Sequence, residues 1–544
     1  CIRDRCLYEI DEKPPEPVDK YSLETALLIA RIFNMNVPDM LFVSRKQYLD
    51  GSVPSGFQRT ILVGLDGWME LSNGKKVKIN QLCLEEDAAR KIRESPREVV
   101  FRVDRLGIPL VEITTGADLE SPEEVLECAL RIGAILRATR RVRRGLGTIR
   151  QDINVSIVGG ARVEIKGVQY PEWFKPLIDN EIRRQLKLIE IAKILRDRGV
   201  QRGDIEAEKH IDVTEVFKNT GARFIRKAIR KGEKVLALKL PGFSGILGVE
   251  IFPGVRFGRE FADRVKVIVG LAGIIHTDEL PAYGITEEEK NRLFCATKAD
   301  PEKDCVVIVV GPNDKAIEAL EEVKERAILA LNGPPEETRR ANPDGTTSFE
   351  RPLGGAGRLY PDTDTPPIEI TKELLDEVGK IKFEYPWETA ERLMREYNLR
   401  MEIAERIVLS PRYEIFEKAI GMGISAKVII KTFDILTNLK REGLNVDRIK
   451  DDTILELFKA LKEGSISKEA INDVLEVLAK SPDISVAEAI RKLGIYRVSE
   501  DEVREYVRKL VKEKAELIKD RGERAFKPLM GIVMARYRGR IDGK

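Results

Sequence analysis

Histidine is almost missing from this chain: two in 544 residues, too few to assemble a Cys/His zinc motif. Cysteine is scarce and scattered. Cys1, Cys6, Cys83, Cys128, Cys295 and Cys305 include no Cys-x-x-Cys pair, which predicts reduced, intracellular thiols. There is no run of about eighteen apolar residues and no signal-peptide core near the start, so a soluble, cytoplasmic chain without membrane contact is expected. An excess of one charge is lacking too. Lys+Arg 93 against Asp+Glu 91 leaves +2, so any nucleic-acid surface has to be local. The Gly-x-x-x-x-Gly-Lys-Ser/Thr phosphate loop is absent, and Gly242, Gly245 and Gly248 lack the dinucleotide-binding spacing.

What is present is ample core material and much charge. Hydrophobic residues make up 42% and charged residues 34%, the latter consistent with surface ion-pair networks of a thermophile. A chain of this length predicts roughly three or four domains.

The organising stretch is Leu146 to Gln169. Ile153, Val155 and Ile157 alternate with Asp152, Asn154 and Ser156; beyond Gly159-Gly160, Val163 and Ile165 alternate with Arg162, Glu164 and Lys166. Period-two alternation around glycines predicts a hairpin with one buried and one wet face. A two-residue loop would mix the faces. A three-residue loop, Gly159 to Ala161, pairs Ser156 with Glu164 and Asn154 with Lys166, keeping polar with polar. The wet face then joins Arg150, Asp152, Asn154, Glu164 and Lys166. A merely solvated face is the alternative, but Asn and Asp are poor strand formers.

In chain order, a proline-rich connector (EIDEKPPEPVDK) leads to a helix from Tyr21-Ser22-Leu23. LFVSRKQYLDGSVPSGFQRT reads strand, loop, strand. Trp68 to Ile79 is a hairpin turning at Ser72-Asn73-Gly74-Lys75. In QLCLEEDAARKI, three acids follow an apolar strand end. They read either as a helix N-terminus, where acids favour the macrodipole, or as a cluster handling a divalent cation or phosphate. VVFRVDRLGIPLVEITT reads as another strand pair, and Glu112, inside an apolar run, needs a cationic or hydrogen-bonding partner. Ser121-Pro122-Glu123-Glu124 starts a helix to about Ala138. Arg137, Arg140, Arg141, Arg143 and Arg144 follow, as a solvated helix end or, preferably, a phosphate-contacting patch. Pro171 to about Arg198 is one amphipathic helix.

Composition shifts near residue 203. From there to about 333 a separate α+β unit is expected, with strands at VLALKL, GILGVEI, KVIVGL and CVVIVV and helices at Thr286–Ala296 and Asn313–Leu331. His276 caps a strand there and reads as structural. FERPLGGAGRLYPDTDTPPIEI, with Gly354, Gly355 and Gly357, is either a close-approach loop for a ligand or a linker. The remainder is helical, ending in a basic segment with Lys527, Arg536, Arg538, Arg540 and Lys544.

LEEDAARKI, DRLGIPLVEI, LGTIRQDINVSI and RVEIKGVQ, in this order, resemble the B/E subunit family of glutamyl-tRNA(Gln) amidotransferases. VPSGFQRT, HTDELPAYGIT and RLYPDTDTP resemble its archaeal E form, whose inserted domain is similar to that of bacterial-type aspartyl-tRNA synthetases. The resemblance implies an α+β multidomain fold: a cradle over 1–202 and 336–370, the insertion over 203–335, a helical domain over 371–445 and a tRNA-binding helical tail over 446–544. It implies an ATP- and Mg²⁺-dependent ligase that phosphorylates glutamate misacylated on tRNA(Gln), then amidates it with ammonia from an asparaginase-like D subunit. By the same resemblance Glu85, Glu86, Asp87 and Asp152 match acidic metal-site motifs, and Lys46 a site lysine. Lys46, Arg150 and Lys166 would face ATP, with Arg150, Asn154, Glu164 and Lys166 lining the cradle.

The family's opening Gly-Leu-Glu-Ile-His-like strand and its C-terminal end have no counterpart here, and the chain starts at Cys1; omission of these parts is the expectation. A non-catalytic tRNA-binding or assembly subunit is the alternative. A synthetase relative is disfavoured, because class II core motifs are not found.

Overall fold

The computed structural model describes residues 13–95, 98–145, 147–354, 358–481, 483–495 and 500–537. Cys1, Cys6, Leu146, Gly355, Gly357, Arg538, Arg540 and Lys544 lie outside the described residues. The fold is mixed α/β, with several sheets and a helical C-terminal region. It divides into two compact units, Cys1–Gly133 with Gly145–Lys382, and Ala134–Arg144 with Phe383–Lys544.

The first unit begins with a helix, Lys20–Ile32, whose N-terminus is capped by the Asp19 carboxylate accepting from the Ser22 N–H. Its buried residues, Leu23, Ala26, Leu27 and Ile29 among them, cover a five-stranded antiparallel sheet. The strand order is Leu359–Pro361, Val43–Gln47, Phe57–Glu70, Lys76–Glu86 and Pro109–Thr115. Backbones touch where helix meets sheet. A Cβ on Gly67 would lie 2.4 Å from the Phe33 carbonyl oxygen, so only glycine fits. The turn at Ser72–Lys75 forms as expected, with Gly74 at φ 83 and Asn73 Oδ1 accepting from the Lys75 N–H.

The central hairpin lies in a second sheet of order Thr347–Pro352, Glu337–Ala341, Val163–Val168, Gln151–Val155. The faces are as expected: Ile153, Val155, Val163 and Ile165 are buried under Phe174, Leu177 and Ile178 of the helix Phe174–Asp197. The register is not. Asn154 opposes Glu164 and Val155 opposes Val163, a shift of two residues that preserves the faces but lengthens the loop. The cause is Gln185 on the covering helix, buried and donating to the Val155 carbonyl while accepting from the Ala161 N–H. Those bonds terminate the ladder at Val155, so Ser156 and Ile157 belong to the loop. Parallel to Val163–Val168 runs Glu337–Ala341, which the chain reaches only after completing the intervening α/β segment.

That segment carries the antiparallel sheet Ile211–Asp212, Lys234–Leu240, Cys305–Gly311, Ile275–His276, with apolar cores on both faces. Helices Glu287–Thr297 and Asn313–Ala330 form where expected. KVIVGL is not a strand: through Ile268 it ends the helix Gly258–Ile268, whose Phe261 and Val265 bury on the helical repeat. GILGVEI contributes only to the short strand Glu250–Phe252. Three arginines and three glutamates lock this segment to the hairpin sheet. Arg184 meets Glu181, Glu260 and Glu337; Arg326 meets Glu260; Arg339 meets Glu337, and all six are buried. The network balances in charge, as buried ions require.

Two further expectations change. LEEDAARKI starts no helix: the strand runs to Glu86 and another, Arg90–Ser95, follows, because Ala89 donates to the Ser52 carbonyl and Asp87 to that of Ile108. Glu98–Arg102 pairs with Arg90–Ser95, and Pro109–Thr115 with Lys76–Glu86, so the two strands of VVFRVDRLGIPLVEITT do not pair with each other.

The second unit is helical, packed around residues such as Leu393, Ile407, Phe416, Ile429, Leu457 and Leu475. Arginines expected on a phosphate patch are used inside it. Arg140 pairs with Glu417 at 3.0 Å and lies over the Tyr413 ring, while Arg144 donates to the carbonyls of Ser410 and Arg137. Burial lowers the pKa of Arg137. Arg144 thus holds two helix ends, where C-terminal carbonyls favour a cation.

Candidate active site

Strand periodicity sends the three consecutive acids in different directions. Glu85 is opposite Thr60, and Glu86, the next residue, points to the other face. Glu85 Oε1 accepts from Thr60 Oγ1 at 3.2 Å and pairs with Lys46 Nζ at 3.3 Å. Glu86 pairs with Arg59 through both Nε and Nη2. Beyond the strand end, Asp87 holds Arg105 Nε on one oxygen and Arg150 Nη2 on the other, each at 3.1 Å. The run therefore splits into three separate sites: Glu85 with Lys46, Glu86 with Arg59, and Asp87 with two arginines, Arg105 and Arg150.

On the face of Glu85 lies Glu112, opposite Cys83 on the neighbouring strand. It has exposed surface but stands in a recess crowded by protein. Partial desolvation and then the Glu85 carboxylate raise its pKa, against the pull of Lys46 and Lys166. Burial works against the charge of Lys46, yet Glu85 and Glu112 outweigh it and hold the ammonium above its ordinary range. Cys83, pushed up to about 12 by burial and then by Glu112 and Glu85, stays a thiol at neutral pH. Two carboxylates pressed together beside one lysine form an acidic recess with a fixed cation at its rim.

The hairpin's wet face meets this recess from the second sheet. Lys166 Nζ lies 3.2 Å from Asp152 Oδ2 and 3.5 Å from Glu164 Oε1, and Thr338 Oγ1 donates to Glu164 at 2.9 Å. Asn154 is exposed opposite Glu164. Lys166 acts electrostatically on Glu112, and Arg150 bridges directly to Asp87, so the two sheets share one polar surface.

RLYPDTDTP pins the edge of that surface. Asp362 accepts from the N–H groups of Asp364 and Thr365 and from Arg45 Nη2, fixing Leu359 opposite Lys46 and Tyr360 opposite Arg45. Sequence reasoning singled out Glu112 as needing a partner without placing it in the site, and missed Thr60, Arg59, Arg105 and Thr338. The first three lie in quoted motifs; Thr338 carried no signal, because its neighbour Glu164 is remote in sequence.

Lys527 is exposed on the helix Phe526–Arg536, where Arg536 lies over the Tyr506 ring at 4.3 Å and Tyr537 is buried. Elsewhere, His276, Asp278 and Cys305 bring ligand-type atoms within 4.8 Å of one another. Asp278 there already accepts from the N–H groups of Gly245, Leu247 and Gly248, the work of a loop cap. Among the described residues no helix is long and apolar enough to cross a membrane.

Comparison with known families agrees along the chain. The family model described as the GatB/GatE catalytic domain matches residues 10–376, and that described as the GatB domain matches 414–544. A curated protein of Methanocaldococcus jannaschii, named as the E subunit of glutamyl-tRNA(Gln) amidotransferase, is 47% identical over 543 residues, covering 99% of this chain and 85% of that protein. Proteins of the same name from Thermococcus gammatolerans and Methanosarcina barkeri are 45% and 43% identical, over 99% of this chain and 85% and 84% of theirs.

Proposed function

Because the chain belongs to the GatB/GatE family, we propose that it is the ATP-dependent amidotransferase subunit that converts Glu-tRNA(Gln) to Gln-tRNA(Gln) in the cytoplasm. The observation that carries this reading is the recess of Lys46, Glu85 and Glu112 facing the hairpin's Asp152, Glu164 and Lys166.

Forming an acyl phosphate brings a carboxylate to a triphosphate, so catalysis is mostly positioning and charge stabilisation. A γ-carboxylate oxygen of the glutamyl group attacks the γ-phosphorus of ATP; the bond to the bridging oxygen breaks and ADP leaves. Ammonia then attacks the acyl carbon, the carbon–oxygen bond to phosphate breaks, and nitrogen loses a proton. Lys46, Arg150 and Lys166 are assigned to the phosphates, Asn154 to orienting the acyl group, and Glu164 to accepting the proton. The residues fit a divalent cation: Glu112 is crowded by Glu85, and a hard ion between carboxylates relieves that repulsion. Glu85, Glu112 and Asp152 would hold Mg²⁺, which supplies phosphate charge neutralisation. Glu86 and Asp87, each already engaged by arginine, hold the strand end in place.

Ammonia is assigned to a partner amidohydrolase of the asparaginase-like D type, in a heterodimer or heterotetramer. Residues 203–335 are read as the synthetase-like insertion, 336–370 as the return of the cradle, 371–445 as the helical domain and 446–544 as a tRNA-binding tail. A purely binding subunit would gain nothing from paired carboxylates beside a polyanion. Purified protein with its partner should turn Glu-tRNA(Gln) into Gln-tRNA(Gln) only when ATP is present; product without ATP would refute the reading.

A further inference from the structure

The short helix Arg223–Arg230 carries a second surface of strong and uniform charge. Ile225 and Ala228 bury one side of it in the apolar core. Arg223, Arg226, Lys227, Arg230 and Lys231 line a recess of about 400 Å³ on the other. Among the described residues none of the five makes an ion pair or side-chain hydrogen bond, and no acid occurs between Arg223 and Gly232. This is unusual in a chain whose net charge is only +2 and whose basic residues elsewhere are widely paired with acids. The spacing is also costly. Arg223 and Lys227, Arg226 and Arg230, and Lys227 and Lys231 are like charges four residues apart, an arrangement that disfavours a helix. Phe224, exposed beside them, adds a ring to the same element.

We propose that this helix is a docking surface for the phosphodiester backbone of RNA, separate from the phosphate-transfer recess. An α-helix rises about 1.5 Å per residue, so the five cations span about 12 Å, enough for two or more successive phosphates. Such interactions give affinity and salt dependence without reading sequence. The inference rests on the reading that the amino-acid acceptor is a tRNA.

The test uses the full chain with its partner, unacylated tRNA(Gln) transcript, and Arg226→Ala/Lys227→Ala/Arg230→Ala. Affinity should fall about tenfold near 0.1 M salt, and the slope of log K against log[salt] should flatten by about two units. An unrelated RNA hairpin duplex should lose affinity likewise, while turnover at saturating Glu-tRNA stays unchanged. The melting temperature should hold or rise as repulsion is relieved. An unchanged slope with intact wild-type binding overturns this inference alone. Absence of tRNA binding by the wild type overturns the functional reading on which it rests. A drop in melting temperature with an unchanged salt slope in the charge-conserving Arg226→Lys/Arg230→Lys variant and in the alanine variant alike would mark the cations as structural and end the proposal.

Discussion

Arg150 Nη2 lies 3.1 Å from Asp87 Oδ1, joining the start of the hairpin sheet to the end of the five-stranded sheet. Asp87 is buried and also holds Arg105, so it aligns two arginines from separate loops. Replacing Asp87 by Asn leaves both cations facing an amide. The expected result is a fall in kcat of at least tenfold, with stability reduced by about 1.5–3 kcal/mol, because Asp87 is buried while Arg150 is largely exposed and Arg105 partly so. Urea denaturation and initial rates measured together check it; wild-type values in both would remove Asp87 from the account.

Asp152 is different, because its pairing with Lys166 is largely solvent-exposed. Asp152→Asn should cost less than about 1 kcal/mol in stability. Phosphate transfer to Glu-tRNA should nonetheless be lost and tRNA affinity retained. Activity near wild type would reduce the hairpin's wet face to a solvated surface.

The arginine–glutamate network predicts acid sensitivity. Burial opposes ionisation of Glu260, but Arg184, Arg326 and Arg339 outweigh it and hold the carboxyl well below its ordinary range. A lowered carboxylate pKa gives stability that is complete above the unfolded glutamate value of about 4.3 and is lost as pH falls from there toward the folded value. Glu260→Gln should therefore be strongly destabilised at pH 7 and show a shallower loss between about pH 5 and 3 than wild type. Parallel acid-unfolding curves for the two proteins would contradict this.

The tail arginines separate by role. Arg536 packs on Tyr506, so Arg536→Ala should loosen the terminal helices, visible as faster amide exchange around Tyr506 and Tyr537. Replacing Arg536, Arg538 and Arg540 together should also raise KM for tRNA and flatten its salt dependence by about one unit for each phosphate no longer neutralised. An unaltered slope would take the tail off the tRNA.

Much of this was legible because alternation and motif spacing survive folding: the buried Ile153, Val155, Val163 and Ile165, the turn at Gly74 and the cap at Ser121 were all readable locally. The hairpin register was not, since Gln185 sets it from a helix some thirty residues away. KVIVGL looked like a strand because four of its six residues are apolar, and a helix end buried on one side presents the same run. The acids at Glu85 to Asp87 appeared as a cluster because sequence adjacency hides the alternation of a strand. The recess itself joins residues from strands separated by dozens of positions: motif resemblance named Lys46, Glu85, Asp152, Glu164 and Lys166 for the site, whereas Glu112, an acid in an apolar run, signalled only its need for a partner.

The central claim is that this chain activates the glutamyl γ-carboxylate as an acyl phosphate. Glu-tRNA(Gln) labelled with ¹⁸O in that carboxylate, incubated with the protein, its partner, ATP, Mg²⁺ and ammonium, tests it most directly. The account predicts that the released inorganic phosphate carries one ¹⁸O for each Gln-tRNA formed and that Lys46→Ala releases none. Gln-tRNA formed with unlabelled phosphate would contradict it.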